Sequence, residues 1–338
     1  MSTDKTLILV SGFGWSGSGA LLDYFLEHQL VQIAGNDEII FLWALQNVLE
    51  NIRGGKPIHI NGEMESLFCA KIPPAYTEEK RRQYEKTFLS YFHGDESLLE
   101  TYTEYAQQII AELVRLNHTT PVEERIRTIL GSYLQVLFES LDSEPSRQLI
   151  FDNLLHPQNL GILDYFDLSC FKAVYVYCVD RDPRQQFYEQ FQRYASGEGL
   201  WHTVNLRQKI MTRIAPTRWF RVLWNSCLVK FLAAKVFIKM HEEKRSSFHQ
   251  ARSLLTRNPA IHIEQIWFED FVTNRNNSRE KLQVAFLQRS GLSQDLWRTE
   301  LLFIPEKSAK NISKFAEDPH QKVYAWIRRH IKQSLTNR

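Results

Sequence analysis

Short runs rich in β-branched and apolar residues alternate along this chain with longer stretches of helical periodicity. The runs that predict strands are Leu7–Val10, Ile58–Asn61, Gln148–Phe151, Ala173–Val179 and Ile261–Phe268. The run AVYVYCV is almost continuously apolar, which is typical of a strand buried on both faces of a parallel sheet. Strands that alternate with helices predict an α/β fold, here a three-layer sandwich with a central parallel sheet.

Two long segments between the strands predict helical insertions, at about residues 76–147 and 184–257. A basic amphipathic helix is predicted after Glu317. No repeat, low-complexity tract or flexible linker divides the sequence. Residues 1–338 are therefore interpreted as a single α/β domain with helical insertions.

A glycine-rich segment, GFGWSGSG, joins the first predicted strand to a helix that starts near Ala20. Strand, glycine loop and helix in this order direct backbone N–H groups and a helix N-terminus toward bound phosphate. The spacing fits the first part of the P-loop motif, G-x-x-x-x-G-K-[ST], but Ser18 and Gly19 occupy its last two positions. Without the lysine, ordinary ATP or GTP hydrolysis is disfavoured. A glycine turn that serves close packing alone is the other interpretation.

Composition and charge limit which binding partners and which cellular location are expected for this protein. The 338 residues are 43% hydrophobic, with 41 Lys and Arg against 39 Asp and Glu, a net charge of +2. A charge this small predicts no nucleic-acid partner. The four cysteines form no C-x-x-C pair and are interpreted as reduced thiols. No apolar run reaches the roughly 20 residues of a membrane span, and an immediate first strand leaves no signal peptide, so a cytoplasmic location is expected.

Polar residues follow two of the predicted strands, at the edge of a parallel sheet where ligands bind. Asp152 and His156 come after the third run and could supply a base and an orienting group. Equally, Asp152 could cap a helix while His156 is merely exposed. Arg181 and Arg184 frame a proline turn after the fourth run, which suits bidentate phosphate capture. A local salt-bridge turn with the neighbouring aspartates is the alternative.

Together these segments resemble the sulfotransferases that use 3′-phosphoadenylyl sulfate, which share the P-loop nucleoside-triphosphate-hydrolase-like fold. The glycine loop resembles the family's 5′-phosphosulfate loop, and Arg181 falls in a segment similar to the one that binds the 3′-phosphate. Residues 308–312 are similar to a C-terminal loop that closes over the cofactor. The resemblance implies a set of cofactor-binding residues: Gly14, Trp15, Ser16, Gly17, Ser18, Gly19, Arg181, Arg184, Ser308, Lys310 and Asn311.

The glycan-modifying branch of that family carries a glutamate general base soon after the loop helix, in a setting that Glu38 matches. Alternatively, Glu38 begins a helix whose N-terminus favours an acid. Trp15 stands where the family commonly has Lys or Arg, and Glu189 stands where it has a serine. Lys310 or Arg184 could supply the missing cation.

The resemblance implies transfer of a sulfuryl group from 3′-phosphoadenylyl sulfate to a hydroxyl of a small-molecule or glycan acceptor, with no metal. Trp201, Trp219 and Trp224 hint at stacking on a carbohydrate, although core packing explains them as well. Asp152 and His156 remain candidates for sharing the base role. Two other functions stay open: a nucleotide- or phosphate-binding P-loop protein without turnover, and a kinase-like transferase. The sequence does not indicate an oligomeric state.

Overall fold

The structure, a computed structural model, describes residues 6–14, 16–34, 42, 45, 49, 62–73, 76–116, 122–141, 147–196, 227–298 and 301–331. Its strands are β1 (Thr6–Gly12), β2 (Val31–Ile33), β3 (Gln148–Asp152), β4 (Ala173–Asp180) and β5 (Ile261–Trp267). Its α-helices are α1 (Ser18–Phe25), α2 (Gly62–Phe68), α3 (Glu78–Tyr91), α4 (Glu96–Arg115), α5 (Val122–Leu130), α6 (Tyr133–Leu141), α7 (Pro183–Ser196), α8 (Cys227–Leu255), α9 (Phe268–Val272), α10 (Ser278–Ser290), α11 (Pro305–Ala309) and α12 (Gln321–His330). Single 3-10 turns or short 3-10 helices cover Pro157–Tyr165, Arg275–Asn277, Gln294–Leu296 and Lys314–Glu317.

The described strands form one parallel sheet in the order β2-β3-β1-β4-β5. Four of the predicted strands are confirmed within one or two residues, and β1 pairs with β4 along its whole length, from Thr6 opposite Ala173 to Gly12 opposite Val179. The strand β2 was missed because three residues, VQI, carry no readable periodicity. The predicted strand Ile58–Asn61 lies outside the described residues.

Both faces of the sheet are covered, which confirms the three-layer α/β prediction. Because successive side chains of a strand point to opposite faces, Leu7 and Leu9 join one core cluster with helices α4 to α6 and the end of α8. Ile8 and Val10 join a second cluster with α1, α9 and α10. Such double coverage explains the unbroken apolar run in β4.

The described residues of the first predicted insertion, 76–116 and 122–141, are mainly helical, as α3 to α6 show. Local sequence explains the start of α4, where the Asp95 side chain accepts hydrogen bonds from the backbone N–H groups of Ser97 and Leu98 at 2.8 and 3.2 Å. A cap of this kind contributes about 1 kcal/mol. The core of this layer includes the buried pair Tyr102 and Tyr133, whose hydroxyls lie 2.8 Å apart.

A third apolar cluster packs α7, α8 and α12 together at one side of the sheet. The predicted C-terminal helix forms as α12, four residues after Glu317, and buries Val323, Tyr324 and Ile327. Among the described residues, no helix combines the length and apolar character needed to cross a membrane. The interpretation of residues 1–338 as one domain stays a prediction.

Candidate active site

The glycine loop, Gly12–Gly19, turns sharply between β1 and α1. Gly14 and Gly17 have φ angles of +82° and +89°, in the left-handed region that favours glycine. A Cβ on Gly17 would overlap the Phe268 ring, whereas a Cβ on Gly14 or Gly19 would meet no atom within 4 Å. Only Gly17 is therefore required for both backbone conformation and close packing. Helix α1 begins at Ser18, two residues earlier than predicted.

Ser16 points its hydroxyl into the inside of this loop. The residue is 2% exposed, and its Oγ has no hydrogen-bond partner among the described residues. A buried hydroxyl left in this state costs about 1–3 kcal/mol. The N-cap residue Gly17 likewise offers no side-chain cap to the first N–H groups of α1. A buried hydroxyl beside an uncapped helix N-terminus fits an anionic oxygen such as that of a phosphate.

Asn153 ties the end of β3 to the loop. Its Oδ1 accepts a hydrogen bond from Gly12 N at 2.9 Å, and its Nδ2 donates to Ser18 Oγ at 3.2 Å. The residue adopts a φ of +46°, which asparagine tolerates better than most residues. In the sequence this amide lies between Asp152 and His156, the candidates for base and orienting group. The position of Asn153 one residue beyond an apolar strand is visible in the sequence, but its contact with Ser18 could not be predicted from the spacing of residues along the chain.

Asp152 and His156 lie on either side of this anchor. Asp152 ends β3 in register with Val10 of β1, so it stands at the edge of the sheet from which the loop departs. His156 is half-buried at the N-cap of the 3-10 helix Pro157–Tyr165, where its carbonyl accepts from Asn159 N at 2.8 Å. Their expected roles as base or orienting group stay predictions.

Arg181 is brought to the loop through an aromatic ring. It is 4% exposed, its guanidinium lies 4.6 Å from the centre of the Phe268 ring, and its Nη2 donates to the carbonyl of Asn311. The same ring packs against Gly17. Burial lowers the pKa of Arg181, and nearby carboxylates, Glu269 first, oppose that shift. Phe268 thus contacts two of the segments predicted to bind the cofactor, and Arg181 contacts the third through Asn311.

Two carboxylates near Arg181 have backbone or amide partners. Glu269 Oε1 accepts from Asp182 N at 2.9 Å, and burial raises the pKa of Glu269. Glu189, which stands where the resemblance expects a serine, accepts from the amide of Gln185 at 3.0 Å. Phe268 and Phe271, both buried in α9, close the core beside them.

A buried ionic network supports the loop from the side of α8. The Asp180 carboxylate accepts from the guanidinium of Arg245 and, at 2.7 Å, from the amide of Gln265. Arg245 Nε lies 3.0 Å from His241 Nε2, and its guanidinium lies 5.0 Å from the Phe13 ring. Burial and the positive charge of Arg245 lower the pKa of His241 to about 3. The neutral imidazole of His241 thus accepts a hydrogen bond from Arg245 Nε, and the network fixes Phe13 at the start of the loop.

The other residues expected to bind the cofactor have fewer contacts with the glycine loop and Arg181. Arg184 forms an ion pair with Asp182, and its guanidinium lies 4.5 Å from the Phe315 ring. Ser308 and Asn311 are half-buried at and just after the end of α11, while Lys310 is exposed. Of these three residues, Asn311 is the one whose contact with Arg181 is shown.

Some expected residues lie outside the described part of the chain. These are the candidate base Glu38, Trp15, and Trp201, Trp219 and Trp224. Within the described part, no group of three or more His, Cys, Asp or Glu side chains is arranged to hold a metal ion. The expectation of a metal-free reaction stays a prediction.

Comparison with known proteins gives little beyond the fold. No protein-family model matches the chain, and no curated protein matches it. Among solved structures, the chain is similar to the sulfotransferase domain from the Synechococcus PCC 7002 olefin synthase, with 13% sequence identity and a TM-score of 0.39. The alignment covers 97% of this chain and 96% of that domain. So distant a likeness carries no argument about function. The functional argument rests instead on the geometry of the glycine loop and its neighbours.

Proposed function

We propose that this chain is a sulfotransferase that binds 3′-phosphoadenylyl sulfate on the glycine loop and passes the sulfuryl group to an acceptor hydroxyl. The observation that carries the proposal is the buried, unpartnered Ser16 hydroxyl at an uncapped helix N-terminus, with Arg181 linked to the same loop through Phe268. One anionic group fits the loop and a second fits the arginine. A nucleotide with phosphates at its 5′ and 3′ positions has that pattern of charge.

The loop residues would hold the 5′-phosphosulfate group. Backbone N–H groups and serine hydroxyls are suited to this because they donate hydrogen bonds to anionic oxygens. Gly14 and Gly19 leave room for the backbone to approach the anion, while Ser16 and Ser18 add hydroxyl donors. When bound, the donor supplies an activated sulfuryl group, so the protein has to position and neutralise rather than form covalent bonds.

Arg181 would hold the 3′-phosphate, next to Asn311. Its guanidinium is already oriented by the Phe268 ring and by the Asn311 carbonyl. Pre-orientation of this kind reduces the entropy lost on binding. Ser308 and Lys310, on the same segment as Asn311, are proposed as further donors at the edge of this site. The cation absent at position 15 is proposed to come from Lys310, which is exposed and free of a described ion pair.

Glu38 is proposed to take the proton from the acceptor hydroxyl, with Asp152 or His156 as the alternative base. General-base catalysis of this type contributes about 10²- to 10⁴-fold. The acceptor is proposed to be a small molecule or glycan, in a cytoplasmic setting. Binding without turnover is the second candidate, and the observation that favours it is the sequence itself, which places no cation at positions 15 or 18 of the loop.

Calorimetric titration with 3′,5′-diphosphoadenosine, beside ATP with Mg²⁺, tests the proposal. We expect micromolar binding of the diphosphate and far weaker binding of ATP. Ser16→Ala should weaken binding about two- to tenfold, since one hydrogen bond contributes about 0.5–1.5 kcal/mol. The free variant should be as stable as the parent or more so, because the substitution removes a buried group without a partner.

Arg181→Gln should weaken the same binding by more than about tenfold, as expected for a charge-assisted contact. Arg257→Gln, at an exposed arginine beyond α8, is the matched control and should bind normally. Equal affinity for ATP and the diphosphate would reject the donor assignment. Binding that survives both Ser16→Ala and Arg181→Gln would place the nucleotide elsewhere.

A further inference from the structure

A cavity lies among the start of α7, the 3-10 helix Lys314–Glu317 and α12. Its volume is about 710 Å³, within the range of small-molecule sites. We call it the arginine pocket. Its main lining residues are Arg184, Phe315, Gln321, Tyr324, Arg328 and Arg329.

Hydrogen bonds within the protein hold the walls of the arginine pocket in place. The amide of Gln321 donates to three backbone carbonyls, those of Phe315, Ala316 and Asp318, at 2.8, 3.0 and 2.6 Å. The Tyr324 hydroxyl donates to Asp318 at 3.1 Å. Because α12 is tied in this way to the segment before it, the cavity exists before any ligand arrives.

A buried ion pair strengthens the same wall. Lys230 Nζ of α8 lies 2.6 Å from Asp318 Oδ2, and both side chains are at most 5% exposed. Removing either partner of such a pair is costly, since the other is left charged and buried. Asp318 is therefore a structural group of the wall, and its charge is already balanced by Lys230.

The charge that faces the cavity is positive. Three arginines line it, and no carboxylate does among the described residues. Asp182 neutralises Arg184 through Nε and Nη2, and holds it against the Phe315 ring. Arg328 and Arg329 are exposed and form no ion pair with a described residue. The pocket thus keeps an excess of about two positive charges, with aromatic rings beside them.

Stabilisation of the C-terminus of α12 accounts for part of this arrangement, because cations in a last helical turn interact favourably with the helix dipole. It does not account for Arg184, which comes from the start of another helix and lines the same cavity. Arginines converging from separate elements beside aromatic rings are typical of sites for phosphate, sulfate or carboxylate groups on an organic ligand.

We propose that the arginine pocket binds an organic phosphate or sulfate monoester, with the ester group on Arg328 and Arg329 and the organic part against Phe315 and Tyr324. This site is separate from the glycine loop, so the proposal goes beyond the function proposed above and does not depend on it. The turn Arg181–Arg184 then places one arginine at each site, Arg181 at the loop and Arg184 at the pocket.

Calorimetry on the full chain tests this with phenyl phosphate and phenyl sulfate as probes and phenol as the uncharged control. We expect at least one ester, and not phenol, to bind with a dissociation constant of about 1 mM or tighter. The two esters distinguish a phosphate ligand from a sulfate ligand. The double variant Arg328→Gln/Arg329→Gln should weaken binding by about tenfold for each lost contact.

The matched control is Arg257→Gln/Lys281→Gln, which removes two exposed positive charges away from the cavity and should bind the ester normally. Ester binding should also persist at saturating 3′,5′-diphosphoadenosine. Absence of ester binding, equal weakening in the control, or displacement by the diphosphate would overturn the proposal. If the diphosphate itself does not bind, the sulfotransferase proposal fails, but the ester titrations still test whether the arginine pocket binds a phosphate or sulfate monoester.

Discussion

Gly17→Ala should damage the loop more than the same change at either neighbouring glycine. Gly17 has a φ of +89°, and a Cβ there would lie well inside 3.0 Å of the Phe268 ring. The left-handed backbone alone costs an alanine about 1–2 kcal/mol. Forcing an extra carbon into packed atoms adds about 1–3 kcal/mol. We therefore expect a total loss of about 2–5 kcal/mol in the free energy of unfolding.

Two glycines of the same loop separate these causes. Gly14→Ala has the strained backbone with no atom within 4 Å of the new carbon, so it should lose about 1–2 kcal/mol. Gly19→Ala has neither problem and, inside α1, should be neutral or stabilising by up to about 1 kcal/mol. Urea unfolding followed by far-ultraviolet circular dichroism measures all three.

Gly17→Ala should cost less in a Phe268→Ala background than in the parent, because the ring that the new carbon meets is gone, although Phe268→Ala is itself destabilising. A double-mutant cycle gives this coupling directly. If Gly17→Ala is no more destabilising than Gly14→Ala, or if the cycle shows no coupling, the packing of Phe268 on the loop is wrong. The link from the loop to Arg181 would then be lost as well.

Three further substitutions test the network and the base. His241 is buried and neutral, and folding lowers its pKa from 6.5 to about 3, so its contribution to stability is complete above pH 6.5 and falls with acidification. Between pH 7 and 5, the free energy of unfolding of the parent should fall by about 2 kcal/mol more than that of His241→Gln in urea titrations. Equal decreases in the two proteins would contradict this. Asp180→Asn should cost about 3–5 kcal/mol by leaving Arg245 charged and buried, and a melting temperature unchanged by the substitution would refute it. Glu38→Gln should lower kcat about 10²- to 10⁴-fold with the melting temperature unchanged, whereas near-normal turnover would pass the base role to Asp152 or His156.

The sheet could be predicted because its signal is local. Four strands have apolar runs long enough to be recognised, and the glycine loop follows the first of them directly. β2 was missed because three residues are too few to show a pattern. Its position in the sheet depends on pairing with β3, more than a hundred residues later in the chain.

Much of the candidate site depends on contacts between distant segments, which no local pattern contains. Phe268 closes the core, and its packing on Gly17 and Arg181 depends on the whole sheet being assembled. Arg245 lies in the middle of α8 and gave no signal in the sequence, although it reaches Asp180 at the end of β4. Arg184, a cofactor residue by the resemblance, also lines the arginine pocket, which no local pattern indicates, and its cofactor role stays a prediction.

A crystal structure of the chain with 3′,5′-diphosphoadenosine tests the central claim most directly. The account predicts the 5′-phosphate within hydrogen-bonding distance of Ser16 Oγ and the first N–H groups of α1, and the 3′-phosphate on Arg181. A nucleotide bound away from the glycine loop, or one whose 3′-phosphate avoids Arg181, would contradict it.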